Sequence, residues 1–333
     1  MSALVHYASE RLPMVSVVIV NWNGCGCLEH CLRRVLLLDW PRVEVIVVDN
    51  GSTDGSVEFI EEKFAGRVRL LRRTVNSVTG ARNQGFAAAA GEIVLSLDND
   101  IVLPDPEIVR RAVRLFECLP RVGALALKIG SADNPSEPLR EHWWHPLGRR
   151  RAGERFFFTD YFGEGGVFFR RAALRATGGY DALYRQGDEG PDLVLRLLAE
   201  GYETLYCPSL VGGELRLRGG RGGVDIQARS LRNRLWTVWK NYPAWRGMLH
   251  ATPRLAMSAM RAASHGWLRE WWRGAGEGVF APEAIRRRRK PLPTAAWRRL
   301  RQIRRGDYLT PDSAEEHGAA AMHSSFAKQI ESL

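Results

Sequence analysis

Residues 92–105 read EIVLSLDNDIVLPD. Ile93, Val94, Leu95 and Leu97 suit a buried strand, and the strand then ends in two carboxylates, Asp98 and Asp100, one residue apart. Like charges this close repel each other, and neither belongs in a core unpaired. Either the pair is a solvated loop tip or it holds a cation. The surrounding pattern decides between the two.

Upstream, Val15–Asn21 (VSVVIVN) and Val43–Val48 (VEVIVV) are short β-branched runs that predict buried strands. Leu28, Cys31, Leu32, Val35 and Leu36 recur at helical spacing between them. Ser52, Thr53 and Asp54 are N-cap candidates for a helix through Phe64. A third strand is expected at Val68–Leu71, then an Ala-rich helix over Thr79–Ala90 with Gly91 as its C′ glycine. Asp105-Pro106-Glu107 opens a helix to Leu119, and Val122–Ile129 is a further strand. Strands alternating with helices at short intervals imply an α/β fold with a mostly parallel sheet and helices on both faces. Ligands bind such sheets outside the carboxyl ends of the strands. There stand Asn21 after the first strand, Asp49 and Asn50 after the second, and Asp98, Asn99 and Asp100 after the fourth. Three polar ends on one sheet edge favour a binding crevice over a solvated loop tip.

The pattern then loosens. Residues 131–165 form a long excursion rich in Pro, Gly, Arg and aromatics, and Gly166–Arg170 returns as a strand. Asp192–Glu200 reads as a short helix and Glu203–Cys207 as a short strand. Residues 212–223 hold six glycines and read as a hinge. Helices are expected over 225–241, 246–273 and 293–305, and the chain from Pro311 is small, polar and loosely ordered.

Composition sets the class. The chain has 333 residues, 45% apolar and 26% charged, and no apolar run reaches the ~20 residues that span a bilayer. The start lacks the basic-then-apolar pattern of a signal peptide, and five cysteines fit a reducing, cytoplasmic setting. Cys25, Cys27 and Cys31 line a helix and lack the partners of a metal site. The net charge is +11, yet residues 231–310 alone carry 18 Lys+Arg against 4 Asp+Glu and seven of the eleven tryptophans. A near-neutral body is therefore joined to a basic, aromatic end.

Two sites compete for the sheet edge. Gly24 and Gly26 after the first strand, with Asp49 after the second, suggest a dinucleotide site, but Glu29 stands where the third glycine belongs and would repel a pyrophosphate. The alternative is a nucleotide-sugar site, in which Asp98 and Asp100 hold Mg2+ or Mn2+ and the cation meets the two phosphates.

The motifs VSVVIVNWNG, LEHCL, VEVIVVDNGSTDGS, NSVTGARNQGFAAAAGEIVLSLDND, GGVFFRRAALRATGGYD and DLVLRLLAEGYE together resemble the family 2 glycosyltransferases of GT-A fold, in the rhamnosyltransferase-like branch, from about Met14 to Pro208. The resemblance implies an inverting, metal-dependent transfer from a UDP-, dTDP- or GDP-sugar to a glycan or lipid-linked acceptor in envelope polysaccharide synthesis. On the donor side it implies Asn21, Asp49 and Asn50, with Arg82 and Asn83 near the base or ribose. Asp98 would touch ribose or metal, and Asp100 would be the principal metal ligand. Gly165 and Gly166 would line the acceptor side, together with Asp192.

The chain departs from the family at the general base, the aspartate of a Glu-Asp pair. Here that pair is Glu189-Gly190. Glu189, or Asp188 beside it, is the expected substitute, and Asp192 has an alternative role as a helix N-cap. A histidine usual after the next strand is also missing, with Gly212 and Gly213 in its region. The competing reading is a non-catalytic nucleotide-sugar-binding or membrane-associated scaffold. Expected boundaries are a flexible start over 1–13, a GT-A domain over 14–223, a basic helical region over 224–310 and a tail over 311–333.

The basic end suits an anionic membrane surface better than plain packing, and nucleic acid least. Trp236 and Trp239 are expected to pack inward. Trp267, Trp271 and Trp272 are expected at the interface, beside the run Arg286–Lys290. This places the protein on the inner face of the cell membrane.

Overall fold

The computed structural model describes residues 12–143, 148–215 and 224–306. The expectations for the first eleven residues, for most of the glycine-rich stretch and for the tail from Pro311 lie outside them. In chain order the body runs β1 (Val15–Asn21), α1 (Cys25–Val35), β2 (Val43–Asp49), α2 (Ser56–Lys63), β3 (Arg69–Arg72), α3 (Val78–Ala88), β4 (Ile93–Asp98), β5 (Ile101–Val102), α4 (Ile108–Cys118) and β6 (Val122–Ser131). After a 3-10 turn come α5 (Arg149–Ala152), β7 (Phe157–Thr159), β8 (Gly166–Arg170), α6 (Arg171–Thr177), α7 (Gly190–Ala199) and β9 (Glu203–Glu214). The basic end is α8 (Val224–Asn241), α9 (Ala244–Ser264), α10 (Leu268–Val279), α11 (Glu283–Arg286) and α12 (Thr294–Arg304).

The described strands form one sheet in the order β3-β2-β1-β4-β8-β6-β9-β5, with β7 also paired to β9. The β-branched runs behave as their composition demands: every residue of β1 is buried. Strands β1 to β4 pair in parallel. Helices cover both faces. Leu28, Cys31 and Leu32 of α1 pack with Val109, Val113 and Phe116 of α4 on one side. Ala81, Leu174, Leu193 and Leu197 pack on the other.

The second half of the sheet is less parallel than the alternation implies. β8 runs antiparallel between β4 and β6, and β5 and β7 pair antiparallel with β9. The excursion over 131–165 brings the chain back at the carboxyl end of β4, so β8 must run the other way. The backbone N–H of Asp98 donates to Gly165 O at 3.0 Å, which fixes this entry point.

Helix ends differ from expectation in instructive ways. α3 begins one residue early, capped by the Ser77 hydroxyl, which accepts from the Gly80 N–H at 3.2 Å. Gly91 is not its C′ residue. A Cβ there would lie 2.6 Å from the Ser16 backbone nitrogen, so glycine is required by close approach. The expected single helix over 246–273 is two. Gly266, with φ +76°, ends α9, and the Trp267 N–H returns to Ala262 O at 3.0 Å.

The basic end docks on the body instead of standing apart. Lys240 of α8 donates to Asp181 at 2.7 Å and lies 2.8 Å from Asp192, all three being buried. Much of Arg286–Lys290 is spent internally: Arg287 pairs with Glu283, Arg288 with Asp181 and Lys290 with Glu200. Arg289 donates to Tyr242 O at 3.0 Å. Trp236 is buried as expected, but Trp239 is exposed under Arg289. Trp271 is buried and donates to Ser258, whereas Trp272 is exposed. Helical period gives a face, but the partner that covers it decides which tryptophan is hidden.

Candidate functional site

The strand register brings the polar ends together. Asn21 lies beside Asp49 across β1 and β2, and Val20 beside Asp98 across β1 and β4. Asn21 Nδ2 donates to Asp49 Oδ1 and to Ser52 Oγ, each at 3.1 Å, while Asn21 Oδ1 accepts from Asn99 at 2.6 Å. Asp49 Oδ2 accepts the N–H groups of Gly51 and Ser52 at 3.2 and 3.0 Å. Asn50 donates to Asn76 and accepts the Ser77 N–H. These three residues are buried and shape the loops after β1 and β2.

Arg82, on α3, is 1% exposed and lies under the end of β4. Its guanidinium donates to Ser96 Oγ at 2.9 Å and to Asp98 Oδ1 at 2.7 Å. Burial opposes its charge, but Asp98 and the surrounding acids outweigh that and hold it firmly protonated. Asp98 is thus neutralised from below, and its side chain keeps about a quarter of its surface open, 27%. Asn83 faces elsewhere: it exchanges two hydrogen bonds with the Tyr180 backbone, at 2.7 and 2.8 Å.

A second acidic group meets this one. Glu164 directly precedes Gly165, and its Oε1 accepts the Gly190 N–H at 2.6 Å. Burial, then the neighbouring Glu189, pushes the Glu164 carboxyl well above the usual range. Glu189 is buried, and its Oε2 has no hydrogen-bond partner among the described residues. Arg82 Nε and Tyr180 Oη are buried and unpartnered in the same way. Arg82, Tyr180, Glu164 and Glu189 all feel one another electrostatically. Unsatisfied buried polar atoms around a shifted carboxyl are the mark of a working site more than of a stabilising one.

The remaining expected residues are placed as follows. Asp188 sits at φ +52° and pairs with Arg234 of α8 at 3.0 Å. Asp192 does not cap α7. It lies inside the first turn, fully buried, and binds Arg196 at 2.8 Å and Asn241 at 2.9 Å besides Lys240. Gly165 and Gly166 are buried: a Cβ at Gly165 would meet Ile101 at 3.0 Å, and one at Gly166 would meet Leu127 at 2.8 Å. Their lack of side chain serves core packing at the mouth of β8.

Residues 16–178 match the family described as glycosyl transferase family 2. That match spans 163 of the 333 residues, just under half of the chain. An uncharacterized glycosyltransferase of Nostoc sp. (alr2836) is 34% identical over 114 residues, which are 33% of this chain and 35% of that protein. The aligned part thus spans about a third of that relative's length. An N-acetylglucosaminyltransferase of Mesorhizobium japonicum is 27% identical over 222 residues, 61% of this chain and 52% of its own. Among solved structures, a mannosyltransferase from Pyrobaculum calidifontis in complex with GDP-Man and Mn2+ superposes with a TM-score of 0.54 at 19% identity, covering 96% of this chain and 87% of that one. At that identity the likeness carries the fold, a GT-A-like α/β body with a helical extension.

In this chain no group of three or more His, Cys, Asp and Glu side chains among the described residues is arranged to hold a metal ion. Cys31 lies just below the strand end, 3.9 Å from Asp98 O, and burial with Asp100 and Asp98 nearby pushes its thiol up. What remains is the pair Asp98 and Asp100. Two carboxylates fit the way Mg2+ and Mn2+ are held, since the other positions are filled by phosphate oxygens and water. Asp98 suits this role through Oδ2, which is not used by Arg82.

Sequence reading missed Glu164 and His142. His142, from the excursion, lies 2.8 Å from Glu214 at the end of β9, near the missing histidine's expected region. A glutamate immediately before the Gly165-Gly166 pair was the available signal for the first; nothing local marks the second.

Proposed function

We propose that this chain catalyses the inverting transfer of a sugar from a nucleoside-diphosphate sugar to a glycan or lipid-linked acceptor, as a member of the rhamnosyltransferase-like branch. The observation that carries this is the in-register convergence of Asn21, Asp49 and Asp98 at one sheet edge, with an acidic group facing them from the start of α7. The loops held by Asn21, Asp49 and Asn50 receive the base and ribose. Asp98 and Asp100 hold Mg2+ or Mn2+, which when bound neutralises the departing diphosphate. Arg82 holds Asp98 in place through its hydrogen bond to Oδ1. An acid of the group gathered at the start of α7, where Glu189 and Asp188 stand and Glu164 meets the Gly190 N–H, takes the acceptor's proton.

The basic end carries a surface with unusual character. α9 exposes Trp245, Met248, Leu249, Met257 and Met260, and α10 exposes Trp272. Arg254, Arg261, Arg269 and Arg273 are exposed on the same two helices. Apolar side chains with interleaved arginines suit the headgroup region of an anionic leaflet, and no described helix is long and apolar enough to cross a membrane. Sedimentation with anionic but not neutral vesicles is the expected result.

Gly190 favours one competing reading, a domain that binds donor without turnover. A thermal-shift panel of UDP, GDP and dTDP, each with and without Mn2+, tests the donor site on wild type and Asp100→Ala. A metal-dependent rise in melting temperature with one diphosphate, lost in the variant, is expected. Absence of any rise sinks the site.

A further inference from the structure

A side chain at position 190 would project into space that is already filled. A Cβ built on Gly190 lies 2.8 Å from Glu164 Oε1 and 3.0 Å from the Phe162 ring. The Glu164 carboxylate therefore stands where an aspartate at position 190 would place its own. The Gly190 N–H holds it there, and Glu189 flanks it with a buried oxygen that no described group satisfies. Of the two glutamates, Glu164 keeps partial exposure, whereas Glu189 is only 4% exposed. The backbone bond from Asp98 to Gly165 ties the loop that carries Glu164 to the end of β4.

We infer that Glu164 is the general base of this chain, having taken in space the role that Gly190 cannot fill, with Glu189 as its positioning residue. This rests on the glycosyltransferase reading above. The acceptor hydroxyl oxygen forms a bond to the anomeric carbon as the bond from that carbon to the diphosphate breaks. The electron pair leaves with the nucleoside diphosphate. The hydroxyl proton passes to the Glu164 carboxylate, which ends the step as the neutral acid. Burial and the neighbouring Glu189 raise the proton affinity of Glu164, as suits a proton acceptor.

The test uses the full chain with Mn2+ and UDP-, GDP- and dTDP-sugars, reading diphosphate release with water or an added glycan as acceptor. Glu164→Gln can still accept the Gly190 N–H, and it is expected to bind the diphosphate as wild type does while release falls about 100-fold or more. Moving the carboxylate back, Glu164→Ala with Gly190→Asp, is expected to recover at least about tenfold over Glu164→Ala alone. Glu164→Asp, which keeps the carboxyl one methylene short, is expected to fall between wild type and Glu164→Gln. Glu189→Gln is expected to move the pH midpoint of release more than its maximum. Release by Glu164→Gln within about threefold of wild type overturns the assignment. So does a wild type that binds diphosphate but releases none, whether or not Gly190→Asp restores release. Failure of every diphosphate to bind wild type overturns the glycosyltransferase reading itself, a result distinct from these.

Discussion

Two carboxylates three residues apart at the start of α7 are both buried and live in opposite surroundings. Asp192 is met by Lys240, Arg196 and Asn241, and its carboxyl is brought down to about 2 because these partners outweigh its burial. Glu189 is met by another carboxyl, that of Glu164, and keeps an unsatisfied oxygen. The first arrangement fastens α8 to the body. The second costs stability and has no structural return. Burial alone therefore does not separate scaffold from site; the sign and completeness of the partners do.

The comparison can be broken most severely at Lys240. Lys240→Ala leaves Asp181 and Asp192 buried with less cation around them, and about 3–5 kcal/mol of unfolding free energy is expected to be lost in urea titration. A smaller effect is expected from pH at Asp192. Its lowered pKa contributes stability that is complete above about pH 4 and is lost as pH falls toward 2, an amount of about 2 kcal/mol. Asp192→Asn should flatten that limb of the melting-temperature profile. Tyr184→Phe removes one hydroxyl, 3.3 Å from Asp192 and 3.1 Å from Thr237, and is expected to cost about 1 kcal/mol.

The smallest expected change sharpens the contrast because its sign is reversed. Glu164 has its pKa raised by folding, so this pair weakens the fold as pH rises above the ordinary glutamate range, about 4.3. Glu164→Gln should therefore melt at a higher temperature than wild type at pH 8, with the difference closing toward pH 4. A variant that gains stability while losing transfer would show the site being held against the fold's preference.

The strands and the donor edge were legible because both rest on local pattern. Runs such as VSVVIVN and VEVIVV fix a buried strand, and the polar residue ending each run then falls on a common edge. The antiparallel entry of β8 was not legible, since it depends on where a long excursion returns. Glu164 was hidden for the same reason: its partner Gly190 is 26 residues away. The basic run Arg286–Lys290 misled in the other direction. Its density suggested a membrane patch, but Asp181, Glu200 and Glu283 absorb much of its charge from within the chain.

The backbone bond between Asp98 and Gly165 has a consequence for how such a domain can diversify. Most of the excursion lies upstream of that tie, so a change of length there need not move Glu164. One residue added between Glu164 and β8 is different. It would either break the tie or shift the carboxylate by about 3 Å, the rise of one extended residue. A residue inserted between Glu164 and β8 is therefore expected to cost more transfer activity than one inserted earlier in the excursion.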